Sequence, residues 1–170
     1  PRLLSSAASD VYKRQYIAYP SCAADAKGLL KMACRMDDPV IFMEHKGLYR
    51  QGYAATEEPD ADYLLSFGKG KKVLEGDEVT IITWGAMVQK SLEAIQSLEI
   101  PNHSIEVIDL RTLNPLDVDL IETSIMKTSK ALVVHEDNIT SGPGAEIAAI
   151  IADKFFELLD GPVRRVGATD

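Results

Sequence analysis

Cysteine is scarce. The 170-residue chain has two, Cys22 and Cys34, with no Cys-x-x-Cys spacing and no histidine pair nearby. A disulfide framework and a zinc site are therefore not expected. Basic residues are outnumbered, 18 Lys and Arg against 26 Asp and Glu, which gives a formal net charge of -8. Such a chain repels phosphate backbones, so nucleic acid is not an expected partner, whereas basic protein surfaces are. No apolar run approaches the length of a membrane span, so no membrane association is expected. Neither a Gly-x-Ser-x-Gly nor a Walker sequence occurs. This leaves out the commonest signatures of serine hydrolases and of nucleoside-triphosphate binding.

What is present suits one ordinary core. Hydrophobic residues make up 46% and charged residues 26%, close to the globular average. Residues 1–15 are rich in Ser and Ala and lack a period, so they read as a non-native or disordered end. Order is expected from Tyr16. A short strand, 17–19, ends at Pro20, and Ser21 is placed to cap a helix. Ala26, Leu29, Leu30, Ala33 and Cys34 recur at helical spacing, with Gly28 suggesting close packing. Val40-Ile41-Phe42-Met43 reads as a buried strand. The polar stretch 51–62 reads as a linker, dividing a first part, 16–50, from a second, 63–170.

The second part alternates strands and helices. Strands are expected at 79–84, 105–110, 131–135 and 163–166, and helices at 86–98, 117–127 and 144–158, with Pro101-Asn102 breaking the first of these helices. That alternation implies an α/β fold with a parallel sheet covered on both faces, a three-layer arrangement.

Several segments could carry chemistry. Glu44-His45-Lys46-Gly47-Leu48-Tyr49-Arg50 follows a strand, and sites gather at the carboxyl ends of parallel strands. His135-Glu136-Asp137 ends another strand and could act in acid–base work, although neighbouring residues on an extended chain face opposite ways. Ser141-Gly142-Pro143-Gly144 lies between strand and helix; it could receive an anion, but a tight turn is the preferred reading. Gly68-Lys69-Gly70-Lys71-Lys72-Val73 lacks the third glycine of a dinucleotide fingerprint and reads as a turn into a strand. In Asp109-Leu110-Arg111-Thr112-Leu113-Asn114-Pro115-Leu116-Asp117, Pro115 forces a turn, Asp117 can cap the next helix, and Asp109 is expected to pair with Arg111 across the bend.

Taken together, ordered stretches of this sequence resemble one family. They are Ala24-Asp25-Ala26-Lys27-Gly28-Leu29-Leu30, Asp38-Pro39-Val40-Ile41-Phe42-Met43-Glu44-His45-Lys46, Leu48-Tyr49-Arg50, the 109–117 corner, and Val134-His135-Glu136-Asp137 followed by Gly144-Ala145-Glu146-Ile147. The set resembles the beta subunit of the decarboxylating component of pyruvate and branched-chain 2-oxoacid dehydrogenase complexes, over about residues 16–170. The resemblance implies the last strand, helix and strand of a pyrimidine-binding domain in 16–50, followed by a carboxy-terminal domain of transketolase type.

The function so implied is oxidative decarboxylation of a 2-oxoacid with acyl transfer to a lipoyl arm. Thiamine diphosphate with magnesium would be held mainly by an upstream region and an alpha subunit. No Gly-Asp-Gly run leading to Asn, the usual magnesium–diphosphate signature of thiamine enzymes, occurs here. This piece, a fragment, is expected to serve subunit assembly and acyltransferase docking, with no catalytic or cofactor-binding residue of its own. Glu44 does not match the motif of the family's cofactor-activating glutamate. A potassium ion held by the main-chain carbonyls of Ala33, Met36 and Asp38 is implied, although Met36 stands where Asp is frequent. The implied partners are the alpha subunit, a second beta subunit and the dihydrolipoyl acyltransferase core. The implied compartment is the bacterial cytoplasm or the mitochondrial matrix. Two readings stand beside it, a non-catalytic interaction module and a fragment of a ketose-transferring thiamine enzyme.

Overall fold

A computed structural model describes residues 15–98 and 104–169. Residues 1–14 and the expected break at Pro101-Asn102 lie outside them. The chain begins with strand β1 (Tyr16–Ala18), helix α1 (Ala23–Ala33) and strand β2 (Val40–Phe42). Single 3-10 turns follow at Lys46–Leu48 and Gly52–Ala54. Then come β3 (Lys71–Leu74), β4 (Val79–Thr83), α2 (Ala86–Gln96), β5 (Ile105–Asp109), β6 (Thr112–Asn114), α3 (Val118–Thr128), β7 (Ala131–Asn138), α4 (Pro143–Lys154), a 3-10 turn at Phe156–Leu158, and β8 (Arg164–Ala168).

The main sheet has five strands in the order β3-β5-β4-β7-β8. β5, β4, β7 and β8 run parallel, and β3 is an antiparallel edge beside β5. The parallel sheet expected from the sequence thus gains one antiparallel strand, built from the Gly68–Val73 turn segment. Its faces are covered as a three-layer fold requires. Ile82, Ile108 and Val133 pack against Ile121 and Ile125 of α3 and Ile147 and Ile151 of α4. Ile81, Val107 and Val134 face the other way, against Met87, Leu92 and Ile95 of α2. Fully burying each such side chain contributes about 1.5–3 kcal/mol, so these two clusters dominate the stability of the sheet.

Asp117 caps α3 as its position suggests, accepting from Leu120 N–H at 3.2 Å. It also accepts from Gly70 N–H at 2.9 Å, which ties the start of β3 to the same corner. Gly28 packs closely: a Cβ there would lie 2.8 Å from both Tyr63 and Leu65.

β1 pairs parallel with β2 and antiparallel with β6, so a second sheet of order β2-β1-β6 joins the first part of the chain to the 109–117 corner. Three local expectations are corrected here. Ser21 does not cap α1; Cys22 occupies that position without a side-chain bond, and the Ser21 hydroxyl donates to Asp109 instead. Arg111 does not pair through its side chain with Asp109. Its backbone N–H donates to Asp109 at 2.9 Å, while its guanidinium grips Asp25 of α1 through Nε at 2.8 Å and Nη2 at 2.7 Å. A planar fork satisfies a carboxylate bidentately, and α1 offers one at the right height. Finally, Val40–Met43 is not a buried run. β2 is an edge strand, and Ile41 and Met43 are 43% and 40% exposed.

Candidate functional site

The carboxyl ends of β1 and β2 open into a cleft of about 550 Å³. One wall is the start of α1, with Pro20, Ser21, Cys22 and Ala23; the other is the 44–55 segment, with Glu44, His45 and Tyr49. β1 and β2 deliver these residues because both strands run parallel and end on the same side. A crevice at the carboxyl ends of parallel strands is the usual place for a site in such sheets. The charged segment after β2, legible in the sequence, lines this crevice; Ser21 and Cys22 had no motif to single them out.

Two polar groups of the cleft pair with each other, and a third reaches beyond it. The Tyr49 hydroxyl donates to Glu44, and this bond raises the phenol above its ordinary value. His45 reaches across to Glu136 at the end of β7, 3.0 Å away, and Lys90 of α2 lies 3.7 Å from the same carboxylate. Burial pushes the Cys22 thiol up, which disfavours the thiolate that a nucleophile needs.

The His135-Glu136-Asp137 triplet is split by the pleat of β7. Glu136 points to the α2 side, towards His45 and Lys90. His135 points to the α4 side, is 1% exposed, and stacks on Trp84 with centroids 5.7 Å apart and planes 3° apart. Burial lowers the His135 pKa below its ordinary value. Neither ring nitrogen has a hydrogen-bond partner among the described residues. The ring leaves no anion pocket under α4, because a Cβ at Gly144 would meet its Nε2 at 2.3 Å. The 141–144 segment is thus a tight turn that admits an imidazole, and His135 and Glu136 lie on opposite faces of the sheet.

Ala33, Met36 and Asp38 lie at the far end of α1, about 15 Å along its axis from the cleft. The Ala33 carbonyl accepts from Met36 N–H at 3.1 Å. Among the described residues no group of three or more His, Cys, Asp or Glu side chains could hold a metal. No described helix is long and apolar enough to cross a membrane.

Comparison with known proteins bears on this geometry. Residues 68–170 match the model of the transketolase C-terminal domain. The chain belongs to the transketolase C-terminal domain family. The pyruvate dehydrogenase E1 component subunit beta of Staphylococcus epidermidis is 42% identical over 154 residues, covering 91% of this chain and 47% of that protein. The Staphylococcus aureus subunit is 43% identical over the same share of each. The chain therefore spans about half the length of the curated relatives it matches. Among solved structures, a split-gene transketolase, described as an inactive beta4 tetramer, aligns with a TM-score of 0.72 and 27% identity, over 92% of this chain and 49% of that one. These matches extend beyond the transketolase C-terminal domain into the segment that builds β1, α1 and the cleft. The likeness to dehydrogenase beta subunits drawn from the ordered sequence stretches holds across that whole span.

Proposed function

We propose that this chain is part of the beta subunit of a thiamine-diphosphate-dependent 2-oxoacid dehydrogenase. In the assembled enzyme it serves subunit assembly and acyltransferase docking, within oxidative decarboxylation of a 2-oxoacid and acyl transfer to a lipoyl arm. The observation that carries the reading is the 42–43% identity to E1 beta subunits over 91% of the chain, which includes the segment lining the cleft. Thiamine diphosphate supplies the carbanion chemistry when bound; protein groups supply position and charge.

Glu44 is exposed and accepts the Tyr49 hydroxyl, while the buried Glu106 is paired with Lys127 and Lys72. In this reading thiamine diphosphate and magnesium are held mainly by an upstream region and the alpha subunit. A potassium ion on the carbonyls of Ala33, Met36 and Asp38 belongs to the same reading; the Ala33 carbonyl keeps a second lone pair beyond its bond to Met36. The partners proposed are an alpha subunit, a second beta subunit and the basic docking module of an acyltransferase, which the charge of -8 suits. The compartment proposed is the bacterial cytoplasm or the mitochondrial matrix.

The test is co-elution of this chain with a purified E1 alpha subunit on size exclusion, followed by calorimetric titration of thiamine diphosphate and magnesium. The chain alone is expected to give no heat and, at a fixed concentration of the chain, to shift in elution when the alpha subunit is added. Heat from the chain alone, or no shift with any alpha subunit tried, would overturn the reading.

A further inference from the structure

Asp25, Asp109, Arg111 and Ser21 meet in a buried cluster that the proposed function does not use. Their exposures are 2%, 1%, 9% and 4%. Asp109 receives the Ser21 hydroxyl on one oxygen and the Arg111 N–H, at 2.9 Å, on the other. Arg111 gives its guanidinium to Asp25, in the first turn of α1. Its backbone sits at φ +59°, a conformation a bulky residue holds only when its surroundings impose it. The same residue's carbonyl accepts from Tyr19 N–H at 2.8 Å. The Arg111 N–H bond lies within the corner between β5 and β6; the others tie the start of α1, or the chain leading to it, to that corner.

The charges in the cluster do not balance. Two carboxylates share one guanidinium, so one negative charge is left over where water does not reach. Other groups near Asp109 do little to offset it. Cys22 on α1 is a neutral thiol that feels both carboxylates. Thr83 of β4, its register partner, carries a buried hydroxyl without a partner among the described residues. Lys71 of β3, its partner on the other side, is exposed and forms no ion pair with it. A proton is the simplest way to remove the excess charge, since like charges in one site cannot both ionise cheaply.

We propose that Ser21, Asp25, Asp109 and Arg111 form a proton-sensitive latch that sets how firmly the first turn of α1, and with it one wall of the cleft, is held against the β5–β6 corner. With Asp109 protonated, Arg111 serves Asp25 alone and the latch is tight. With Asp109 ionised, two carboxylates compete for one guanidinium and the grip on α1 loosens. Burial pushes the Asp109 carboxyl up to about 6, so both states fall within reach of ordinary conditions. The direction agrees with linkage. A folded-state pKa above the ordinary 3.8 gives stability that is full below 3.8 and lost as pH rises through about 6.

The experiment is amide hydrogen exchange of the α1 segment in the full 170-residue chain, from about pH 5 to about pH 8 and corrected for intrinsic exchange, beside Asp109→Asn. Asparagine keeps an acceptor for Arg111 N–H and a donor towards Ser21, so it mimics the protonated form. In the unsubstituted chain α1 protection is expected to fall by up to about tenfold per pH unit as pH rises towards about 6, and to level off above it. Asp109→Asn should keep the low-pH level throughout, and the same pH profile in both proteins would overturn the latch. Should Asp109→Asn not fold, the carbon-13 shift of the Asp109 carboxyl in the unsubstituted chain decides. A midpoint near 6 that coincides with the levelling off of α1 protection supports the latch. A midpoint near 3.8, or titration and protection that change independently, overturns it.

Discussion

His135 shows how much a single buried side chain can say about a turn. Three glycines, Gly142, Gly144 and Gly167, approach its ring so closely that a Cβ at any of them would meet it within 3.4 Å. Their role is to leave room for an imidazole that has no hydrogen-bond partner among the described residues. Such a ring resists protonation, because the charged form loses hydration and gains no hydrogen bond. Its folded-state pKa lies below the ordinary 6.5, so the stability it gives is full above 6.5 and lost as pH falls below it. The opposite slope belongs to Asp109. We expect urea stability to drop less on acidification in His135→Phe than in the parent, with the difference confined to pH below about 6.5. Trp84, the chain's single tryptophan, reports the same event. An imidazolium stacked on the indole should quench its fluorescence on acidification, and His135→Phe should abolish that quench. An identical fluorescence titration in both proteins would show that the ring is not buried as described.

At the level of elements, local patterns and long-range partners divide the credit. α3 begins where Asp117 permits it, because a capping carboxylate satisfies a helix N–H from within the same stretch of chain. Asp117→Ala should therefore cost about 1–2 kcal/mol, read from the urea midpoint. The loss should sit at the upper end, because the same carboxylate also holds Gly70 N–H from β3. A loss below about 0.5 kcal/mol would mean that solvent replaces both bonds. α1 is the contrary case. Its periodicity was legible, but Ser21 is drawn off its expected capping role by Asp109, 88 residues away. Arg111 is drawn off Asp109 by Asp25 in the same way, at a separation of 86. Neither exchange leaves a mark in the local sequence.

For the molecule as a whole, the notable surface is the outer side of β2. A parallel edge strand that shows Ile41 and Met43 to solvent carries both unpaired backbone groups and apolar side chains. Exposed apolar edges are templates for association. The chain by itself is expected to self-associate with rising concentration, and Ile41→Lys should suppress this without lowering the unfolding midpoint. Monodisperse parent protein in light scattering at high concentration would contradict that expectation. The exposure of Ile41 and Met43 departs from the buried strand that the run 40–43 suggests. Continuous β-branched sequence signals a strand that buries both faces in some assembly, but it does not say that the burying surface lies within this chain.

The alternation of strands and helices, the capping of α3, the turn at 141–144 and the likeness to dehydrogenase beta subunits all follow from residues close together in sequence. Periodicity, turn chemistry and ordered motifs are local, so the sequence by itself determined the α/β class and the family. Tertiary structure decided what depends on distant groups. It set the pairing of β1 with β6, the antiparallel edge β3, the partners of Ser21 and Arg111, the sealing of His135, and the cleft between α1 and the 44–55 segment. Hydrogen bonds and charges choose partners by distance and desolvation once the chain is packed, and sequence spacing carries no record of that choice.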